Sequence, residues 1–345
     1  MKNNYIDDLQ SIESEIKNEF GKITDFSFLE TSLLNNFPSE SVEVCRQILL
    51  RNRKYFVNSI IISIYGFFEY FIKQISKIYI NFSISREING SRFIKKEQFE
   101  SLLKLINSFS DEQQIEAVKA LYDLVVKNDY SKYNQNISLY YFQNASTEKI
   151  RDLTNKIGLN TCIDYIKKDK TYLCLMQKIL GSNTIDETSK ILNKRENFFS
   201  EIDEIVVLRN IIAHEGHSLT IPTIDDLRNK YIPIFQTFLV AFLNAVTNYV
   251  LKSIINGKEK IMIVQDVVNN KIILFDSKNL SITKEKYVIV CETKSNYLLR
   301  MILRMESDNK AIEKTEKNQQ VGCELSGYIK KNYSYRLVKK ETFDY

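Results

Sequence analysis

Two histidines occur among the 345 residues, and both fall within "LRNIIAHEGHSL" (208–219), at His214 and His217. Arg209 and Asn210 precede them. An arginine and an imidazole bordering one groove have the chemistry to cut RNA. The imidazole can move a proton at the ribose 2′-OH or at the leaving oxygen. The guanidinium can stabilise charge on the phosphoryl oxygens. The 2′-OH is an internal nucleophile, so this chemistry needs no metal. Asn210 adds a neutral donor and acceptor beside the pair.

A zinc-protease reading of "HEGH" fails on spacing. That motif sets two histidines four apart on one helical face, whereas these are three apart and Gly216 intervenes. Glycine is a helix-stop signal, which places His217 beyond the helix end. No cysteine or third histidine nearby completes a metal site. A P-loop, a dinucleotide-binding glycine pattern, a serine-nucleophile elbow and a thiol–histidine pair are absent as well, so no cofactor is expected.

The helix that must carry the pair is "RENFFSEIDEIVVLRNIIAH" (195–214). Phe198, Ile202, Ile205, Val206, Ile212 and Ala213 fall on one face at helical spacing. Arg209 follows Ile202 by seven and precedes Ile212 by three, so its guanidinium joins the apolar stripe. A charge there needs an anion, either an internal carboxylate or a phosphate. His214 lies five residues on, about 140° around the helix, in its last turn. Two structural roles compete with the chemical one. Arg209 could pair with Glu69, and His214 could cap the helix C-terminus.

Periods near 3.6 recur over 5–20, 41–80, 97–108, 112–128, 147–157, 186–214 and 224–255, which predicts a mainly α chain to about residue 255. "STEKI" from Ser146 and "TIDDL" from Thr223 are helix starts, and Pro233 should kink the last helix. "VNSIIISIYGFFEYFIKQI" (57–75) is long enough to span a bilayer. Its Asn58, Ser59, Ser63 and Glu69 favour a buried central helix instead, so no membrane association is expected. After "ING" (255–257) come β-rich runs split by turn residues, with a hairpin at Asn269–Asn270. The expected organisation is a helical domain over 1–257, its first 40 or so residues an extension, and a small β-rich domain over 258–345.

Residues 258–345 hold 17 Lys+Arg against 12 Asp+Glu, so the formal charge of +5 sits entirely there. A basic tail can attract nucleic acid or an acidic partner. "IKKNYSYRLVKK" (329–340) interleaves aromatic and basic residues, although an edge strand guarded by lysines reads the same way. Five scattered cysteines with no CxxC pair indicate neither zinc ribbon nor disulfide framework. With no apolar leader at the N-terminus, the expected compartment is the cytoplasm.

With these residues in hand, the chain resembles the HEPN (higher eukaryote and prokaryote nucleotide-binding) superfamily, whose signature is an arginine, a polar residue and then a histidine near the end of a late helix. "RNIIAH" (209–214) fits it. "NSIIISIYGFFEYFIKQI" with its single glutamate Glu69, "NASTEKIRDLTNKIGLN" (144–160) and "EIVVLRNIIAHEG" are similar to segments of the RiboL-PSP-like and MAE-like prokaryotic groups. The resemblance covers about 40–255. It implies a helical bundle that dimerises and brings two R-x4-H motifs into one cleft. It also implies metal-independent endoribonuclease activity, often in toxin–antitoxin or phage-defence systems, with an antitoxin or defence partner. By position, Arg209 and His214 would be catalytic, with Asn210, His217 and Glu69 supporting and Glu69 holding Arg209. Toxins silenced by nucleotidyltransferases carry a tyrosine two positions after the histidine. Here that position is Gly216. The alternative function is a catalytically silent scaffold that binds RNA, nucleotide or a protein partner.

Overall fold

The computed structural model describes residues 3–29, 39–88, 91–106, 111–127, 139, 142–215, 222–255, 257, 259–278, 280–294 and 296–345. Two compact units result, Leu9–Ala245 and Met1–Asp8 with Val246–Tyr345. Helices α1 (Tyr5–Ser27), α2 (Ser39–Ser85), α3 (Ser91–Ile106), α4 (Asp111–Val126) and α5 (Thr147–Lys156) come first. They are followed by α6 (Cys162–Lys167), α7 (Lys170–Leu180), α8 (Ile185–Lys194), α9 (Ser200–Glu215) and α10 (Ile224–Ile254).

The core of the first unit is aromatic. Phe68 of α2 meets Phe235 and Phe238 of α10 edge-on, with centroids 4.7 and 5.5 Å apart. Tyr172 of α7 and Phe199 continue the cluster, in the offset geometries that aromatic quadrupoles favour. Val57, Ile60, Ile61, Ile64, Phe68, Phe71, Ile72 and Ile75 are buried at helical spacing, which makes α2 the central helix. By length and composition both Arg51–Ser85 and Ile224–Ile254 could cross a membrane, but 50% and 72% of their apolar windows are already buried within the chain.

The helix starts read from sequence carry their caps. The Ser146 side chain accepts from Lys149 N, and Thr223 forms a reciprocal capping box with Asp226. One reading needs correction, and the structure adds two features to the others. The run 186–214 is two helices, because Arg195 turns extended and ties back to Ser200 and Glu201 while the Asn197 side chain accepts from Phe199 N. Helices α6 and α7 fall between the helical runs read from the sequence, and α7 buries Tyr172, Leu173 and Met176. In α10 the backbone widens into a π turn at Leu227–Tyr231 just ahead of Pro233, where the missing proline N–H already costs a helical bond.

The second unit holds eight antiparallel strands: β1 (Lys260–Met262), β2 (Val264–Val268), β3 (Ile272–Asp276), β4 (Tyr287–Glu292), β5 (Tyr297–Ser307), β6 (Lys310–Ala311), β7 (Gln320–Leu325) and β8 (Ser334–Lys339). Their order is β1-β8-β4-β5-β7-β3-β2, with β6 against β5. The outermost strands β1 and β2 are separated only by Ile263, so the sheet curls into a near-barrel around Ile273, Phe275, Ile289, Ile302, Val321 and Leu325. The hairpin expected at Asn269–Asn270 joins β2 to β3 with both residues at positive φ, the requirement of a type I′ turn. β8 is not an edge strand. It lies between β1 and β4, and its Tyr335 points into the core. The aromatic–basic run therefore offers no stacking platform along β8. Cys162, Cys174, Cys291 and Cys323 are free, and burial pushes the Cys291 and Cys323 thiols up to about 12.

Candidate functional site

Helix α9 packs against α2. Phe198, Ile202, Ile205, Val206 and Ile212 are buried as the stripe predicts, while Ala213 is exposed. Arg209 is half-buried at the margin of that stripe. Its guanidinium carbon stands 4.5 Å from the centroid of the Tyr65 ring. Its Nη1 donates to Asn210 Oδ1 at 2.9 Å and to Asn144 Oδ1 at 3.3 Å. All three contacts are neutral. Among the described residues no carboxylate pairs with Arg209.

Glu69 makes its ion pair elsewhere. Lys73 Nζ donates to Glu69 Oε1 at 2.8 Å, and Tyr65 Oη donates to Oε2 at 2.5 Å. Tyr65, Glu69 and Lys73 stand at successive four-residue steps of α2, so they line up along one face. Burial alone would raise the Glu69 carboxyl, but hydrogen bonds from Lys73 and Tyr65 and the nearby cations Lys73 and Arg209 hold it below its usual range. Burial and the Glu69 carboxylate raise the Tyr65 phenol, so it stays a donor to Glu69. Glu69 thus reaches Arg209 through Tyr65 and not by direct contact.

The segment entering α5 fixes the other side. Asn144 sits at φ 56°, a region where asparagine is among the tolerated residues. Ala145 N donates to Tyr65 Oη at 2.9 Å. Thr147 N and Oγ1 both donate to Asp203 of α9, at 2.8 and 2.6 Å, and Asn197 Nδ2 donates to the same carboxylate at 2.6 Å. Beside Asp203 opens a cavity of about 360 Å³ edged by Arg151, Lys167, Arg195, Asn193 and Phe198. Asp203 and Arg209 are six residues apart on α9, about 9 Å along its axis.

The structure brings Arg209, Asn210 and, through Tyr65, Glu69 to one place. His214 lies in the last turn of α9 with its side chain exposed and makes no hydrogen bond or ion pair to a described residue. His217 lies outside the described residues. Tyr65, Lys73 and Asn144 were not singled out from sequence. The four-residue ladder on α2 was readable there, but the reach of Asn144 across 65 positions was not. Among the described residues no group of three potential ligands could hold a metal ion. A phosphate-sized anion is the ligand this arrangement suits, because the arginine is oriented but not neutralised.

A family model described as RiboL-PSP-HEPN matches residues 7–248, which takes in α1 as well as the stretch from residue 40 onward. No curated protein and no solved structure matches the chain.

Proposed function

The chain belongs to the RiboL-PSP-HEPN family, and from that membership and the Arg209 geometry we propose that it is a metal-independent endoribonuclease. The ribose 2′-oxygen attacks the adjacent phosphorus, and the bond to the 5′-oxygen of the next nucleotide breaks. His214 moves the proton, either from the 2′-OH or to the departing 5′-oxygen. Arg209 stabilises the charge that builds on the non-bridging oxygens. Asn210 keeps the guanidinium turned, and Glu69 supports it through Tyr65. One observation carries the reading: Arg209 is held by an aromatic face and two amide oxygens, with its charge left for a substrate anion.

Within one chain the two side chains leave α9 about 140° apart. A cleft shared by two copies, each supplying an arginine and a histidine, lets them face one phosphate. The biological setting we infer is a cytoplasmic toxin or phage-defence effector held in check by an antitoxin or defence partner.

The test is cleavage of an RNA oligonucleotide by purified protein in chelator. Wild type should cut. His214→Ala and Arg209→Ala should abolish cutting with helical circular dichroism unchanged, and Arg209→Lys should fail because a point charge cannot grip phosphate bidentately. Equal cutting by all three variants would remove the assignment.

A further inference from the structure

We propose that Asn144 is a positioning residue for Arg209, holding the guanidinium in register without neutralising it. The proposal rests on the phosphate-binding reading of Arg209 but has a test of its own. Three observations carry it.

Asn144 is the chain's only link from the α5 approach to the guanidinium among the described contacts, with Oδ1 accepting from Arg209 Nη1 at 3.3 Å across 65 residues. Its backbone is in the left-handed region, φ 56°. The other described asparagines at positive φ, Asn269, Asn270, Asn309 and Asn318, lie in the β-rich unit, where tight turns account for them. At 144 the same conformation presents a side-chain carbonyl to a cation.

Next, the residues that follow fix the platform from both sides. Ala145 N holds the hydroxyl of Tyr65, whose ring lies under the guanidinium. Ser146 caps α5, and Thr147 is bonded twice to Asp203 on α9. Four consecutive residues thus tie this segment to α2, α5 and α9, so the backbone that carries the exposed Asn144 side chain is held in place. Fixed donors and acceptors are what lets a charged group act without reorganising.

Finally, the chemistry of the contact is selective. A carboxylate at this point would form a charge-assisted pair with Arg209 and compete with phosphate. Glu69, whose carboxylate feels the charge of Arg209, is engaged by Lys73 and Tyr65 instead. An amide oxygen orients the arginine and leaves its charge intact.

Two substitutions separate the roles of residue 144. Asn144→Gly keeps the left-handed backbone and deletes the amide. Asn144→Asp keeps the shape and adds a negative charge. Each is measured for RNA cleavage kinetics, thermal unfolding, and NMR order of the Arg209 Nε–H group in isotope-labelled protein. Asn144→Gly should cut at least tenfold less efficiently, chiefly through kcat, with Arg209 more mobile and the unfolding temperature close to wild type. Asn144→Asp should leave Arg209 ordered and raise KM at least tenfold. Wild-type order of Arg209 in Asn144→Gly overturns the proposal, whatever the protein's activity. Wild-type kinetics in both variants overturn it too, while a loss of cutting in Arg209→Ala would leave the nuclease reading standing. A wild-type protein that cuts no RNA sinks the nuclease reading, and the order measurement still decides the role of Asn144.

Discussion

Arg209 stacks on the face of Tyr65, 4.5 Å from its centroid, and the hydroxyl of that ring is bonded to both Glu69 and the backbone of Ala145. One side chain therefore serves as a floor for a cation and as a bridge between α2 and the segment entering α5. The two duties separate by substitution. Tyr65→Phe keeps the floor and strands a buried N–H and part of a carboxylate, at a cost of about 1–3 kcal/mol. Tyr65→Leu removes the floor as well, and Arg209 should then lose about a further 0.5–1 kcal/mol of cation–π attraction. Urea unfolding of both variants, with NMR of the Arg209 side chain, should show lower stability in each but a freed guanidinium only in Tyr65→Leu.

Glu69 makes the helical unit acid-sensitive. Its carboxyl is held below the usual glutamate range in the folded chain. A depressed folded value means that its stabilising contribution is complete above the unfolded value and disappears as pH falls through the folded one. Glu69→Gln should therefore lose stability near neutrality and show a smaller drop on acidification. A urea-midpoint titration of both proteins from neutrality into the acid range checks this, and parallel curves would contradict it.

Asp169 has the opposite sign. It caps α7 by accepting from Tyr172 N at 3.0 Å, yet burial raises its carboxyl above the usual aspartate range. The charged form is the costly one, so the protonated form favours folding and that advantage is lost as pH rises through the folded value. Asp169→Asn retains a capping oxygen without the charge, and should be at least as stable as wild type at neutral pH and lose that edge in acid. Asp169→Ala loses the cap and about 1 kcal/mol. Thermal unfolding at two pH values distinguishes the three proteins.

The turn between β2 and β3 offers a test in the other unit. Asn269 and Asn270 both stand at positive φ. Asn270→Ala should cost about 1–2 kcal/mol, the left-handed penalty of a residue with a Cβ and no compensating side-chain bond, while Asn270→Gly should cost nothing. Hydrogen exchange of the β2 and β3 amides should report the difference locally.

Much of this architecture can be read in the residues before any coordinates. The buried face of α2, the caps at Ser146 and Thr223 and the hairpin at Asn269–Asn270 are local patterns, and local patterns survive folding intact. The break at Arg195–Phe199 was not legible, because it depends on Arg195 reaching Glu201 and Ser200 across the turn. The place of β8 within the sheet depends on pairing with β1 and β4, which no stretch of β8 encodes alone. At the site, Arg209 and its place beside the apolar stripe were visible from helical spacing. Its partners were not. Asn144 lies 65 residues away and meets it only because α5, α2 and α9 converge.

The single residue between β1 and β2 has a mechanical consequence. Both borders of the sheet belong to one short piece of chain, so pulling either border away drags on the other. Fraying, the usual route by which strands loosen from the outside inward, has little room to start here. The β-rich unit should open all at once or not at all.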